Sequence, residues 1–374
     1  MLYYDFKGTK LSALGMGTMR LPLCGNLSNE IDIPKSEALF DLCMQRGINY
    51  YDTAWGYHNG ASESVVGKLL SRYPRESYYL ASKFPGYDLA NIAKIAEIFP
   101  RQLEKCGVDY FDFYLFHNVT ENNIDAYLDP ANGILDYLLA QKAAGRIRHL
   151  GFSCHGKMPV LRRFLEAYGE HIEFCQLQVN YIDWTFQDAK EKVEYVSSLG
   201  IPVWVMEPVR GGKLAKLEPE YEERLKALRP DESTAAWAFH FLQSIPGVAL
   251  TLSGMTTMEQ LCDNLATYES AKPLNEEEMQ TVLSIAEQMM QGVPCTSCRY
   301  CTEHCPLQLD IPTLLQIHNK HFFYGTKIPA SALQDIPQDK WPDACWYCGS
   351  CMAVCPQDIR IPQILQKMAE KLPR

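Results

Sequence analysis

Short apolar runs rich in β-branched and aromatic residues alternate with longer amphipathic stretches from about residue 10 to residue 270. The strand-like runs are GMGTMRL (15–21), INYYDTA (48–54), YYLASKF (78–84), FDFYLFH (111–117), IRHLGFS (147–153), FCQLQVNY (174–181), PVWVMEPV (202–209) and GVALTLSG (247–254). The helical stretches between them carry their own punctuation. Pro34 stands in the first turn of 34–46 with Gly47 after its end, and Gly145 closes 134–144. Strands and helices alternating in this way over about 250 residues predict an α/β fold, a (β/α)8 TIM barrel, whose functional groups gather where the strands end. The alternative, a doubly wound open sheet, wants a G-x-G-x-x-G turn after its first strand, and none is there.

Past residue 272 the alternation stops. A linker helix is expected within 273–292: Asn275 and Glu278 have N-cap to N3 spacing, and Met279, Val282, Leu283, Ala286, Met289 and Met290 recur at helical intervals. The remainder, 293–374, contains the pattern C-x2-C-x2-C-x3-C-P twice, as Cys295, Cys298, Cys301, Cys305 and Pro306, then Cys345, Cys348, Cys351, Cys355 and Pro356. Short gaps wrap a loop around a metal centre, and the proline turns the chain away. Zinc ribbons use paired C-x2-C elements but do not call for a third and fourth cysteine at these offsets. Disulfides suit an exported chain, and MLYYDFKGTK has no basic segment followed by an apolar one. The two runs resemble those of bacterial ferredoxins, in which three cysteines hold one [4Fe-4S] cluster and the fourth holds the other. That resemblance implies one cluster on Cys295, Cys298, Cys301 and Cys355, and a second on Cys345, Cys348, Cys351 and Cys305. Between the runs, HNKHFFYGTK (318–327) is basic and aromatic; it reads as an exposed loop, with a docking patch or a cover on the active site as the sharper alternatives. A short tail helix is expected over 361–372.

Composition narrows the setting. With 35 basic and 45 acidic side chains in 374 residues the formal charge is −10, which argues against a nucleic-acid partner. No run approaches the roughly 18 apolar residues of a membrane span. The expected setting is the reducing cytoplasm, with no membrane association. Eight of the 14 cysteines lie in the two runs. Of the others, Cys24, Cys43, Cys106, Cys175 and Cys262 read as core filler, whereas Cys154 falls among candidate site residues.

Polar groups collect at the strand ends. Asp52 closes the second strand, Tyr57 follows in its loop, Lys83 closes the third and His117 the fourth. Singly, each has a bland explanation as a cap or a backbone partner. Together on a barrel they converge on one pocket, where a nearby ammonium and imidazole are expected to raise the acidity of the phenol and Asp52 holds Lys83 in place.

These residues sit in motifs. D-T-A-x-x-Y (Asp52 to Tyr57), S-E-x-x-x-G (Ser62 to Gly67), S-K (Ser82, Lys83), D-x-Y-L-x-H (Asp112 to His117) and G-M-G-T-M-R-L-P (Gly15 to Pro22) make the barrel region resemble the aldo-keto reductases. With the ferredoxin-like tail, the chain resembles the iron-sulfur members of that family. The resemblance implies a catalytic tetrad of Asp52, Tyr57, Lys83 and His117, in which the tyrosine protonates a carbonyl oxygen while NADP or NAD, in reduced form, delivers hydride to the carbon. It also implies nicotinamide contacts from Thr18 and Met19, from Ser153, Cys154 (where the family has Asn) and Gln178, and from Met206 at the stacking position. Gly254, Thr256, Gln260 and Asn264 follow the last strand, and Arg210 is the candidate cation for a 2′-phosphate.

The expected function is therefore an oxidoreductase that reduces a small carbonyl or oxidises an alcohol. Hydride carries two electrons and a [4Fe-4S] cluster takes one. If the halves work together, a flavin in the barrel, a substrate radical or both clusters in turn must split the pair; otherwise the clusters are structural. One alternative is an electron-transfer reductase fed by a ferredoxin-like partner, with a flavin or organic acceptor in the barrel. A redox-sensing binding module is the third reading, and an intact tetrad argues against it.

Overall fold

The computed structural model describes residues 1–25, 30–290, 293–322 and 328–372. Its first two strands, β1 (Tyr3–Phe6) and β2 (Thr9–Ser12), pair antiparallel across the two-residue turn Lys7–Gly8. Both turn residues have positive φ, 52° and 80°, as a type I′ hairpin requires. Eight parallel strands then close on themselves: β3 (Leu14–Gly17), β4 (Tyr50–Asp52), β5 (Tyr79–Phe84), β6 (Phe111–Val119), β7 (Ile147–Cys154), β8 (Phe174–Gln178), β9 (Val203–Met206) and β10 (Val248–Ser253), with β10 paired to both β9 and β3. The predicted barrel is present, with each expected strand in place but most of them shorter.

The run 15–21 shows why the strands are shorter. β3 stops at Gly17 because Thr18 turns inward, its hydroxyl donating to Asp52 O at 2.9 Å and lying 2.9 Å from Ser62 Oγ, and the chain continues as a 3-10 turn over Thr18–Arg20. At the opposite end of the barrel, where the strands begin, the hairpin inserts Phe6 among Tyr50, Phe113, Phe174 and Trp204. The Phe6 ring lies 5.2 Å from the Trp204 ring and 5.7 Å from that of Phe113. The mouth where the strands end is thus the one left for polar chemistry.

Around the sheet, helices follow their sequence signals. The helix Ile33–Gln45 is capped by Asp32, which accepts from Lys35 N, and Pro34 is in its first turn. Helix Ser62–Leu70 approaches helix Ile95–Cys106 closely at Gly67, where a Cβ would meet the Cys106 carbonyl oxygen at 2.3 Å. Of the scattered cysteines, Cys43, Cys106, Cys154 and Cys175 are buried, but Cys24 and Cys262 are exposed, contrary to their reading as core filler. The helix Glu276–Met289 opens with the expected reciprocal cap: Asn275 Oδ1 accepts from Glu278 N at 3.0 Å and Glu278 Oε2 accepts from Asn275 N at 2.9 Å. No helix among the described residues is long and apolar enough to cross a membrane.

The chain divides into two units, Met1–Val209 with Leu217–Val282, and Arg210–Lys216 with Leu283–Arg374. The second is a repeat of two similar halves. Helices Tyr300–Glu303 and Ile311–Phe322 in one half correspond to Ser350–Ala353 and Ile361–Ala369 in the other. Positive φ recurs at matching positions: Ser297 and Tyr347, Arg299 and Gly349, Gln308 and Asp358. Leu309, Ile311, Leu314, Ile359, Ile361 and Leu365 form the shared core. Of the basic aromatic segment 318–327, residues 323–327 lie outside the described residues.

Candidate functional site

At the strand ends the four tetrad residues come together. Lys83 Nζ lies 2.5 Å from Asp52 Oδ1, donates to Thr53 O at 2.9 Å and reaches the Tyr57 hydroxyl at 3.3 Å. The His117 ring stands edge-on to the Tyr57 ring, with centroids 6.1 Å apart. Asp52, Lys83 and His117 are buried. Burial pushes the Asp52 carboxyl up and the Lys83 ammonium down, and each is pulled back by the other's charge. His117 is held well below its usual range by burial and then by Lys83 and His155, so its ring is neutral at pH 7.

The expected acidification of Tyr57 is corrected here. Burial, followed by Asp52, the neighbouring Tyr87 phenol and Glu207, pushes the phenol well above its usual range. A phenol in that state keeps its proton at neutral pH, which is where a general acid must start.

Behind Lys83 lies a buried network that the S-E and S-K motifs build. Glu63 accepts from Ser82 Oγ, Gln102 Nε2 and Lys105 Nζ, each at 2.7 Å, and Gln102 also donates to Lys83 O at 3.0 Å. The loop bearing Tyr57 is pinned by its neighbour. His58 and Asn59 both have positive φ, 52° and 53°, and His58 Nε2 accepts the Leu21 N–H at 3.2 Å.

The expected nicotinamide contacts are placed unevenly. Met19 and Met206 are half-buried at the ends of β3 and β9. Thr18 is engaged with Asp52 and Ser62, as above. Ser153 Oγ accepts from Asn118 N at 2.7 Å, and Gln178 Nε2 donates to Asp183 Oδ2 at 2.7 Å. Cys154 is buried, its thiol pushed up to about 12 by burial. After β10, Gly254 packs on the Arg20 side chain, Thr256 Oγ1 donates to Arg20 O at 2.8 Å, Gln260 completes a capping box with Thr257, and Asn264 Nδ2 donates to Ser253 Oγ at 3.0 Å. Arg210 does not join this group: it belongs with the second unit, where its buried guanidinium donates to Gln357 Oε1 at 3.1 Å.

Three residues not singled out in the sequence also face the tetrad. Tyr87 stands edge-on to His117 at 5.1 Å. His155 sits directly after β7, with Nδ1 buried and without a hydrogen-bond partner among the described residues, its imidazole depressed to about 4 by burial. Glu207 follows β9 with a positive φ of 56° and one buried carboxylate oxygen without a partner among the described residues. The strand-end rule reaches His155 and Glu207 as readily as Asp52 and His117. Orphaned atoms on His117 (Nδ1), His155 (Nδ1), Asn118 (Oδ1) and Glu207 (Oε2) suit a mouth built to receive a polar organic group.

In the second unit the eight cysteines of the two runs divide into two quartets. Cys295, Cys298, Cys301 and Cys355 line one cavity, and Cys305, Cys345, Cys348 and Cys351 line the other. Each quartet takes three sulfurs from one run and the fourth from the other run, the crossed arrangement expected. Burial and then the three neighbouring thiols raise Cys301 and Cys351. Such crowding suits a multinuclear cationic core that holds all four as thiolates. Left-handed turns aim backbone N–H groups at sulfur, as where Ser297 N donates to Cys295 Sγ at 3.4 Å.

Comparison with known proteins agrees with both halves. The family model described as the Aldo/keto reductase family matches residues 13–287, and that of the 4Fe-4S dicluster domain matches 294–359. An uncharacterized oxidoreductase of Bacillus subtilis, YqkF, is 26% identical over 309 residues, covering 74% of this chain and 94% of its own. The NADH-specific methylglyoxal reductase of Escherichia coli is 24% identical over 302 residues, covering 68% and 89%. The solved holo form of aldo-keto reductase AKR11C1 from Bacillus halodurans superposes with a TM-score of 0.61 at 25% identity, over 76% of this chain and 96% of that one. Followed by an iron–sulfur domain of the 4Fe-4S type, the barrel that gathers Asp52, Tyr57, Lys83 and His117 at one mouth makes this chain an oxidoreductase belonging to the aldo/keto reductase family.

Proposed function

We propose that the protein reduces a small carbonyl compound, or oxidises the matching alcohol, at the barrel mouth. The observation that carries this reading is Lys83 Nζ, which reaches Asp52 and the Tyr57 hydroxyl at once, 2.5 Å and 3.3 Å away. A nicotinamide dinucleotide supplies hydride to the carbonyl carbon when bound; the NADH-specific relative supports that choice. Met19, Met206, Ser153, Cys154 and Gln178 are the residues that would hold the ring.

Tyr57 keeps its proton until charge develops on the carbonyl oxygen, and then donates it. Lys83 stabilises the phenolate left behind, because a cation near that oxygen favours its ionised form. Asp52 keeps the ammonium aimed at Tyr57, and the neutral His117 ring packs on the phenol edge and offers a nitrogen to the same oxygen. Depth excludes water from the proton's path.

The two quartets would hold two [4Fe-4S] clusters, Cys295, Cys298, Cys301 and Cys355 on one and Cys345, Cys348, Cys351 and Cys305 on the other. A cluster there supplies one-electron redox chemistry. One observation favours exchange with an external one-electron carrier: Trp346, beside the second quartet, is 71% exposed and Cys348 is exposed as well. Reduction of the clusters by a low-potential ferredoxin, unaffected by blocking the barrel, would support that second reading.

The primary reading is tested by Tyr57→Phe. The variant keeps the ring packing and is expected to lower kcat/KM for a small aldehyde by at least about 10²-fold, the lower end for a lost general acid, with the iron–sulfur absorbance unchanged. Full activity in the variant would end the proposal.

A further inference from the structure

A carboxylate that neither the tetrad nor the expected nicotinamide contacts use stands at the same mouth. Glu207 follows β9 with a φ of 56°, a region a non-glycine residue occupies only when its surroundings hold it there. Asn180 does the holding, donating through Nδ2 to Glu207 O at 3.0 Å. The side chain is 16% exposed, and its charge is among the causes that push the Tyr57 phenol up. Among the described residues its ion-pair partner is loose: Arg20 Nη2 lies 3.5 Å from Oε1, at the limit of a hydrogen bond, while the Arg20 carbonyl accepts from Thr256 Oγ1 at 2.8 Å. The other oxygen, Oε2, is buried with no hydrogen-bond partner among the described residues. A carboxylate only accepts, and an unsatisfied buried acceptor is costly. A backbone held in the left-handed region that leaves such an oxygen buried and unsatisfied, within electrostatic reach of the phenol, calls for a donor that arrives with the ligand.

We propose that Glu207 is a specificity-determining residue that accepts a hydrogen bond from a hydroxyl group of the bound ligand. Its charge favours hydroxylated carbonyl compounds and disfavours those bearing a carboxylate next to the carbonyl. This rests on the reductase reading above. The hydroxyl has two sources, the carbonyl substrate or the ribose of the nicotinamide nucleotide, and the test separates them.

The wild type, Glu207→Gln and Glu207→Ala are compared on glycolaldehyde, acetaldehyde and glyoxylate, and their dissociation constants for NADH and NADPH are measured by fluorescence, all on the full-length, cluster-loaded protein. If the hydroxyl belongs to the substrate, wild-type kcat/KM for glycolaldehyde exceeds that for acetaldehyde by about tenfold or more, as for a charged hydrogen bond. The ratio collapses in Glu207→Ala, chiefly through KM, and glyoxylate improves in Glu207→Gln. If the hydroxyl is the ribose's, the substrate ratios stay level and nucleotide binding weakens by about tenfold in Glu207→Ala. A merely structural role lowers kcat for all three substrates together with both ratios and nucleotide binding unchanged, and that result overturns the proposal. A wild type with no Tyr57-dependent reduction overturns the reductase reading instead; nucleotide binding then decides Glu207 alone, weakened binding in Glu207→Ala sustaining it and unaltered or absent binding sinking it.

Discussion

Removing both members of the Asp52–Lys83 pair should destabilise the barrel by clearly less than the sum of removing each alone. The two side chains are 3% and 1% exposed, with the charged atoms 2.5 Å apart. At an effective dielectric constant of about 20, unit charges at that distance attract by roughly 6–7 kcal/mol. Desolvation of each ion offsets several kcal/mol of that, so the intact pair contributes little net stability. Asp52→Asn leaves the ammonium with only Thr53 O and the Tyr57 hydroxyl; Lys83→Met leaves a buried carboxylate. Each single variant is expected to lose about 3–5 kcal/mol, the usual cost of an orphaned buried charge. The double variant buries no charge and should lose at least ~2 kcal/mol less than the sum of the two. The assay is urea unfolding under anaerobic conditions, followed by far-UV circular dichroism, with midpoints compared at constant slope. All three variants should also lose carbonyl reduction. Losses that add to within about 0.5 kcal/mol would show that the two charges are not coupled, and the electrostatic account of the site would be wrong.

Cys355→Ser and Cys305→Ser should each cost about half the bound iron and acid-labile sulfide, from opposite quartets, because each contributes the crossed fourth ligand; loss of all the iron in both, or of none, would refute the two-quartet reading. Gly67→Ala should destabilise by roughly 1–3 kcal/mol, since its Cβ would meet the Cys106 carbonyl oxygen at 2.3 Å and backbone must move; thermal unfolding reads this directly. The histidines make acid destabilising: His155 is depressed from about 6.5 to about 4, so between those values the unfolded chain binds the extra proton. Stability should be full above pH 6.5, fall as pH drops through that window and level off from this source near pH 4, and His155→Gln should flatten the slope. Phe6→Ala should cost about 3–5 kcal/mol by emptying the ring cluster at the strand-start end of the barrel, with no change in the KM of the enzyme that remains folded.

The barrel was legible because a strand buried on both faces reads as a near-continuous apolar run, and these runs occur at regular intervals with helical stretches between them. Their ends were less so: nothing local in GMGTMRL says that Thr18 will prefer Asp52 O to a ladder partner. The N-terminal hairpin was missed because its strands are four residues each, although the Lys7–Gly8 turn was a usable signal. In the site, Asp52, Lys83 and His117 followed from the strand-end rule, and the crossed cysteine quartets from the resemblance of the doubled run to ferredoxins. Glu207 stands at a strand end and falls under the same rule, but its direction does not follow from the rule, because it depends on a backbone angle of the wrong sign for its residue type. Arg210 was the candidate cation for a 2′-phosphate because the segment after the last strand offers no Lys or Arg of its own. The left-handed Gly211 and Gly212 that follow Arg210 belong with it to the segment that groups with the cysteine-bearing unit, and no residue pattern announces that.

In the proposed reaction Tyr57, poised by Lys83, protonates a carbonyl as a nicotinamide gives up hydride. Its most direct test is a single-turnover experiment under anaerobic conditions: enzyme in excess is mixed with NADH or NADPH, then with glycolaldehyde, while nicotinamide fluorescence is followed. The account predicts that the wild type binds the nucleotide and oxidises it on adding the aldehyde, whereas Tyr57→Phe binds it equally and leaves it reduced. Equal oxidation by both proteins, or a wild type that binds neither nucleotide, would contradict it.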